Sequence, residues 1–239
     1  MEISFMIIAA LAPVAVLGYY IYRKDHLRQE PPKELLKAFG MGVLSVFVSF
    51  CISVPFGLLG LYVDDPQTFS GGVLTSFFGA AVPEEVAKFV MFWIVVRKNR
   101  WFDEKMDGVV YGSCVALGFA ALENIQYLVA NFDSWVSVGI TRALLSVPGH
   151  FFFGILMGYY YSIVRFSAAP SLKDRCLVLI APILAHGIFN SLLFTIDIVP
   201  ALSLVLMVLF LYFVNRLRKF AVAKAEQHLK ADAIHVDSK

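Results

Sequence analysis

The stretch Phe77-Phe78-Gly79-Ala80-Ala81-Val82-Pro83-Glu84-Glu85-Val86-Ala87-Lys88-Phe89-Val90-Met91-Phe92-Trp93-Ile94-Val95-Val96 sets three charges inside an otherwise apolar run. About 20 such residues are needed to cross the hydrocarbon of a bilayer. A charged side chain at the bilayer centre costs about 2.5 to 3.5 kcal/mol on insertion scales, so a Glu-Glu-x-x-Lys set within a span marks a buried reaction or transport site. Lys88 stands at i+4 from Glu84 and i+3 from Glu85, which puts an ion pair on its own helix face within reach.

The same apolar texture extends over most of the chain. Hydrophobic residues make up 59% of the 239 and charged residues 16%, with a mean hydropathy of +0.74. That exceeds what a soluble domain of this length needs for its core. Seven stretches are predicted to span: 3–22, 36–62, 72–96, 108–130, 136–164, 176–196 and 199–215. The fold class is therefore all-α, a polytopic membrane helix bundle of about seven transmembrane helices. Residues 1–215 form one transmembrane domain, and 216–239 form a charged tail that is expected to be solvated.

The loops test this arrangement independently. Every Lys and Arg except Lys88 and Arg142 falls in segments that alternate along the chain: 23–37, 97–105, 165–175 and 216–239. The intervening loops carry Asp64, Asp65, Asp133 and Asp197 but no basic residue. Basic loops stay in the cytoplasm, so the N-terminus is predicted outside and the C-terminus inside. Glu2 replaces a basic n-region, and Tyr19-Tyr20 stand where a cleavage site would need small residues, so the first span is expected to be a retained anchor. Cys51, Cys114 and Cys176 lack metal-type spacing and suggest neither a disulfide framework nor a zinc knuckle. No nucleic-acid motif is present, and the basic start of the tail suits the lipid bilayer with its anionic headgroups.

Other polar residues fall at similar depth. Glu123 and Asn124 lie in the fourth span, His150 in the fifth, and His186 and Asn190 share one face of the sixth. At about 1.5 Å per residue, Glu84, His150 and His186 lie near the midplane and Glu123 somewhat nearer the outer side. Three glutamates, two histidines and a lysine at matched depth predict one shared site. With the carboxylates ionised and the histidines neutral the set would carry two net negative charges, so it must take up protons or bind a cation. Arg142 stands near the outer end of the fifth span, where its side chain can snorkel to the interface or turn inward. Gly108, Gly112 and Gly118, with Gly149, Gly154 and Gly158, allow the fourth and fifth spans to approach closely and bring Glu123 near His150. Pro55, Pro83, Pro148 and Pro182 are expected to kink their helices and open the backbone to a wet cavity.

Pro83-Glu84-Glu85-Val86-Ala87-Lys88-Phe89, Asp107-Gly108-Val109-Val110-Tyr111-Gly112 and Gly118-Phe119-Ala120-Ala121-Leu122-Glu123-Asn124 together resemble the PrsW family of bacterial intramembrane proteases. Arg142 with Pro148-Gly149-His150, and Ala185-His186-Gly187-Ile188-Phe189-Asn190, continue the likeness in the same order. The 22–36 segment with Asp25, Glu30 and Pro31 resembles that family's juxtamembrane loop. Its Pro-Pro-Lys-Glu departs from the more usual acidic-proline repeat. The resemblance covers roughly 19–190. It implies a multi-pass peptidase of the bacterial inner membrane, distantly similar to CAAX-processing and bacteriocin-processing proteases. It also implies a membrane-anchored protein or peptide substrate of the anti-sigma-factor kind, cut first at its extracytoplasmic side, in stress signalling. The essential residues it implies are Glu84, Glu85 and His150 or His186. Lys88 and Glu123 depart from the CAAX-type pattern.

Peptide hydrolysis requires a base for water, donors for the oxyanion and an acid for the leaving amine. Glu84 or Glu85 suits the base, with Lys88 holding the partner carboxylate. His186 and Asn190, one turn apart, suit the oxyanion, and His150 suits the acid or the orientation of water. This reading needs no cofactor. In the alternative, a divalent metal such as zinc is held by Glu84 or Glu85 with Glu123, His150 and His186, although no His-Glu-x-x-His helix is present. A proton-coupled transporter would also place such residues at the midplane of broken helices, but the Glu-Glu motif has no counterpart in the second half of the chain.

Overall fold

A computed structural model describes residues 2–63, 65–198 and 200–237. Asp64 and Val199 lie outside the described residues, and so, in part, does the turn expected at 197–200. Within the described residues all regular structure is helical, as hydrocarbon demands of a chain that must satisfy its own backbone donors and acceptors. The elements are α1 (Glu2–Lys24), α2 (Pro32–Leu58), α3 (Phe69–Leu74), α4 (Val82–Val96), α5 (Lys105–Ala130), α6 (Trp135–Thr141), α7 (Val147–Phe166), α8 (Leu172–Ile198) and α9 (Ser203–Asp237). Five helical stretches among the described residues are long and apolar enough to cross a membrane: α1, α2, α5, the α6–α7 rod and α8. Large apolar side chains remain exposed on α1 and α2, among them Ile8, Val16, Phe47 and Phe50. Such a surface suits lipid.

Two rods are jointed. A π turn at Thr75–Ala81 joins α3 to α4, and another at Arg142–Ser146 joins α6 to α7. Each is followed by a proline, Pro83 or Pro148, as the second residue of the next helix. Proline has no N–H to donate, and its ring crowds the carbonyl four residues back. A widened turn relieves both problems, and such turns recur at functional sites. Pro55 and Pro182 lie inside α2 and α8, which run on past them. The two π turns therefore lie just before Glu84 and His150.

Helix α5 is the axis of the bundle. Its residues 106–121 are all buried, and α1, α2, α4, α7 and α9 all pack on it. Glycine sets the closest approaches. A Cβ on Gly112 would lie 2.5 Å from the Gly154 carbonyl oxygen of α7, and one on Gly118 would overlap the Phe39 carbonyl of α2. The α5–α7 contact is the one the small residues predict, and it fixes where Glu123 meets His150.

The chain beyond residue 215 differs from the solvated extension expected of it. Helix α9 continues to Asp237 and packs along α5 and α7. Ala221, Ala225, His228 and Asp232 are buried. His228 reaches the Tyr159 carbonyl at 3.0 Å and stacks on the Tyr159 ring. Asp232 accepts from the amides of Lys105 and Met106 at the start of α5.

Candidate active site

One hydrogen-bonded chain crosses four helices and contains every candidate residue. From α4, the Lys88 ammonium donates to Glu84 Oε2 at 3.2 Å and to Glu85 Oε1 at 2.8 Å. It also donates to His150 Nδ1 on α7 at 3.0 Å and lies 4.0 Å above the centre of the Phe119 ring on α5. An ammonium has only protons to offer, so His150 Nδ1 is an acceptor. His150 Nε2–H is then free to donate to Glu123 Oε2, 2.9 Å away on α5. On α8, His186 Nδ1–H donates to Glu85 Oε1 at 2.9 Å. The Asn190 amide donates to His186 Nε2 at 3.2 Å. Both tautomers follow from the partners.

Arg142 turns inward. It is 8% exposed and donates to Glu123 Oε2 at 2.5 Å and to Asn124 Oδ1 at 2.6 Å. Its guanidinium lies 3.9 Å over the Tyr127 ring, and Asn124 in turn donates to the Ala10 carbonyl of α1. Snorkelling, the other course open to Arg142, is ruled out by this inward carboxylate and amide. The balance of the cluster changes too, because three glutamates now face two permanent cations. One net negative charge remains where the sequence count gives two.

The two adjacent glutamates have different surroundings. Glu85 has no exposed surface, yet its Oε2 has no hydrogen-bond partner among the described residues. Glu84 lines two cavities. One, of about 410 Å³, is also bordered by Arg142, His150, His186 and Asn190, with Phe189 and Met207 beyond. The other, of about 330 Å³, runs towards Ser49, Ser53, Tyr62, Thr75 and Gln126. Ala80, Glu84, Glu123, Tyr127 and Phe194 border both, so the two volumes meet over Glu84.

Residues 30–215 match the model of a family described as PrsW family intramembrane metalloprotease. This chain belongs to the PrsW family. It is 33% identical over 217 residues to Protease PrsW of Oceanobacillus iheyensis, which covers 87% of this chain and 94% of that protein. To Protease PrsW of Bacillus subtilis it is 37% identical over 190 residues, 79% of this chain and 82% of the relative. No solved structure matches. The protein is accordingly a multi-pass bacterial membrane peptidase.

This candidate site brings together all seven residues singled out from the sequence: Glu84, Glu85, Lys88, Glu123, His150, His186 and Asn190. Arg142, Asn124 and Tyr127 complete it. Of these, Arg142 and Asn124 carried a sequence signal, Arg142 as one of two basic residues outside the basic loops and Asn124 as a polar residue beside Glu123 in the fourth span. A divalent ion fits the donor set. Glu84, Glu85, His150 and His186 each offer a ligand atom within 4.8 Å of the others, and the orphaned Glu85 Oε2 is a natural donor to one. Glu84 thus takes the place expected of Glu123, which pairs instead with Arg142.

Proposed function

We propose that the protein hydrolyses a peptide bond in a membrane-anchored protein, with Glu84 as the base that activates water. The unequal placement of the two glutamates supports this reading. Glu85 is sealed between Lys88 and His186, while Glu84 is 13% exposed at the side chain and borders both cavities. A substrate strand lying across both would present its scissile carbonyl over Glu84. Glu84 takes a proton from water as the oxygen attacks. Arg142 and the second N–H of the Asn190 amide supply donors for the oxyanion, the kind of preorganised group that is worth roughly 2.7 to 4 kcal/mol when lost. The proton then passes to the leaving amine, from Glu84 directly or through Lys88 and His150. Glu85 holds His186 in the Nδ1–H tautomer, and Glu123 holds His150 in the Nε2–H tautomer. The substrate class we carry forward is the one the family implies: an anti-sigma-factor-like single-pass protein, cut at its first site.

The compact ligand set favours a second reading in which Glu84, Glu85, His150 and His186 hold a divalent ion. When bound, such an ion would polarise the scissile carbonyl and acidify its water. Lys88 weighs against it. Its ammonium already contacts three of those four side chains, so an ion would have to displace it.

The test uses the full chain in liposomes with a tagged single-pass anti-sigma-like substrate. Cleavage that survives a strong chelator but is lost in both Glu84→Gln and Glu85→Gln supports the metal-free reading. Loss with chelator and recovery on adding zinc supports the ion. Cleavage unaffected by either glutamine substitution would overturn both.

A further inference from the structure

The two cavities that meet over Glu84 differ in chemistry. The 410 Å³ cavity is bordered by Arg142, which can only donate hydrogen bonds, and by apolar groups such as Phe153, Phe189, Leu193 and Met207. Among the described residues no Lys, Arg or His borders the 330 Å³ cavity. Beyond Glu84 and Glu123, which border both, its polar lining comes from Ser49, Ser53, Tyr62, Thr75 and Gln126.

The hydrogen bonds of that lining decide what it can hold. Ser49 directs its proton to the Val46 carbonyl at 2.7 Å, and Ser53 directs its own to the Phe50 carbonyl at 3.0 Å. Thr75 donates to the Val63 carbonyl at 2.9 Å and accepts the Val63 amide at 3.3 Å. Each of these hydroxyls keeps a lone pair and has no proton to give. Glu84 and Glu123 use Oε2 for Lys88, Arg142 and His150, and Oε1 of each accepts no hydrogen bond among the described residues. The Tyr62 phenol and the Gln126 amide can accept as well as donate, so no group on this lining can only donate. The cluster beneath it carries one net negative charge, three glutamates against Lys88 and Arg142. Such a cavity selects a donor, and a cationic donor forms the stronger bonds.

We propose that the 330 Å³ cavity is the subsite for a lysine or arginine side chain of the substrate, seated by the Glu123 carboxylate and the Ser49, Ser53 and Thr75 oxygens. The proposal rests on the hydrolytic reading above and adds which residue the substrate offers beside the cut. Glu84 keeps its Oε1 for water, and Glu123 supplies the anion. A basic side chain here is paired with the net negative charge of the cluster, whereas a substrate carboxylate would add to that charge and stay unpaired. In the 410 Å³ cavity the position of Arg142 reverses this preference, so the basic residue belongs on one side of the cut only. Tyr62 adjoins the acidic loop at 64–65, which the positive-inside rule assigns to the exterior, so a side chain can approach the subsite from that end of the bundle.

The test uses the full chain in liposomes with a single-pass anti-sigma-like substrate whose cut is located by fragment mass. Each residue flanking the cut is changed in turn to Lys, Arg, Met or Glu, and kcat/KM is measured for each substrate. Capture is read separately, by crosslinking from p-benzoylphenylalanine in place of Tyr62. At one position Lys and Arg should be cleaved and crosslinked at least about tenfold better than Met, with Glu the poorest, as expected for a charge-assisted hydrogen bond. Ser53→Lys puts a cation into the cavity and should reverse the order, so that Glu outdoes Lys. The substrate panel on the chain with Ser53 intact carries the test even if Ser53→Lys fails to fold. Cleavage with no position preferring Lys or Arg over Met would overturn the subsite and leave the hydrolytic reading standing. Crosslinking at position 62 that depends on a basic residue, without cleavage, would support the subsite and overturn the hydrolytic reading. Neither cleavage nor such crosslinking would overturn both.

Discussion

Replacing Lys88 with Met keeps the length of the side chain and removes its charge. In the wild type that ammonium is 1% exposed and contacts Glu84, Glu85 and His150. Its loss leaves the buried Glu85 carboxylate and the partly buried Glu84 carboxylate without their nearest cation, and His150 Nδ1 without a donor. Breaking a buried ion pair by deleting one partner costs about 3 to 5 kcal/mol. For a chain of this size each kcal/mol moves the melting temperature by about 2 to 4 °C, so the drop should be about 6 to 20 °C. Scanning fluorimetry in detergent measures it. The doubly substituted Lys88→Met, Glu85→Gln protein should regain at least about half the loss, since the cost lies in the uncompensated charge and not in missing packing. A Lys88→Met protein that melts within about 2 °C of wild type would refute the reasoning, as would a double variant no more stable than the single one.

Gly112→Val places a branched side chain where a Cβ already lies 2.5 Å from the Gly154 carbonyl. It should cost about 1 to 3 kcal/mol of stability by overpacking and lower activity further by separating Glu123 from His150; denaturant titration and substrate cleavage check the two effects. Burial and the neighbouring acids push the carboxyls of Asp25 and Glu30 up to about 7. The folded protein then binds more protons than the unfolded chain between the ordinary carboxylate range and neutrality, so the protein should become more stable as pH falls from about 8 to about 6. A melting temperature that falls over that range would contradict this expectation. Ser53→Trp should fill part of the 330 Å³ cavity. It should narrow the range of residues accepted on one side of the cleavage site without changing the melting temperature, as read from fragment masses across a panel of substrate variants.

The helical membrane bundle was legible because hydrophobicity along the chain is dictated by the solvent, and a run such as 77–96 has few alternatives in hydrocarbon. The site was legible for the converse reason: Glu84, Lys88, His150 and His186 are too costly at that depth to be incidental. Pro83 and Pro148 marked the joints, but the sequence does not distinguish a π turn from a kink, nor these prolines from Pro55 and Pro182. Depth alone left Arg142 two courses, and only the neighbouring Glu123 and Asn124 decide between them. The last half of α9 reads as solvated because its charges are frequent. Its buried stripe Ala221, Ala225, His228 and Asp232 follows helical spacing, yet small and polar residues carry little hydrophobic signal. The gathering of the buried acids Asp25, Glu30, Asp107 and Asp232 was hidden because they come from three segments far apart in sequence.

The central claim is that Glu84 activates the water. The most direct measurement is single-turnover cleavage of a membrane-anchored substrate by Glu84→Gln protein in liposomes, with folding and substrate capture measured on the same sample. A positioned general base contributes about 10²- to 10⁴-fold, so cleavage should fall by at least about 10² while the melting temperature and crosslinking to substrate persist. Cleavage within about tenfold of wild type, from a protein that still binds substrate, would contradict the account.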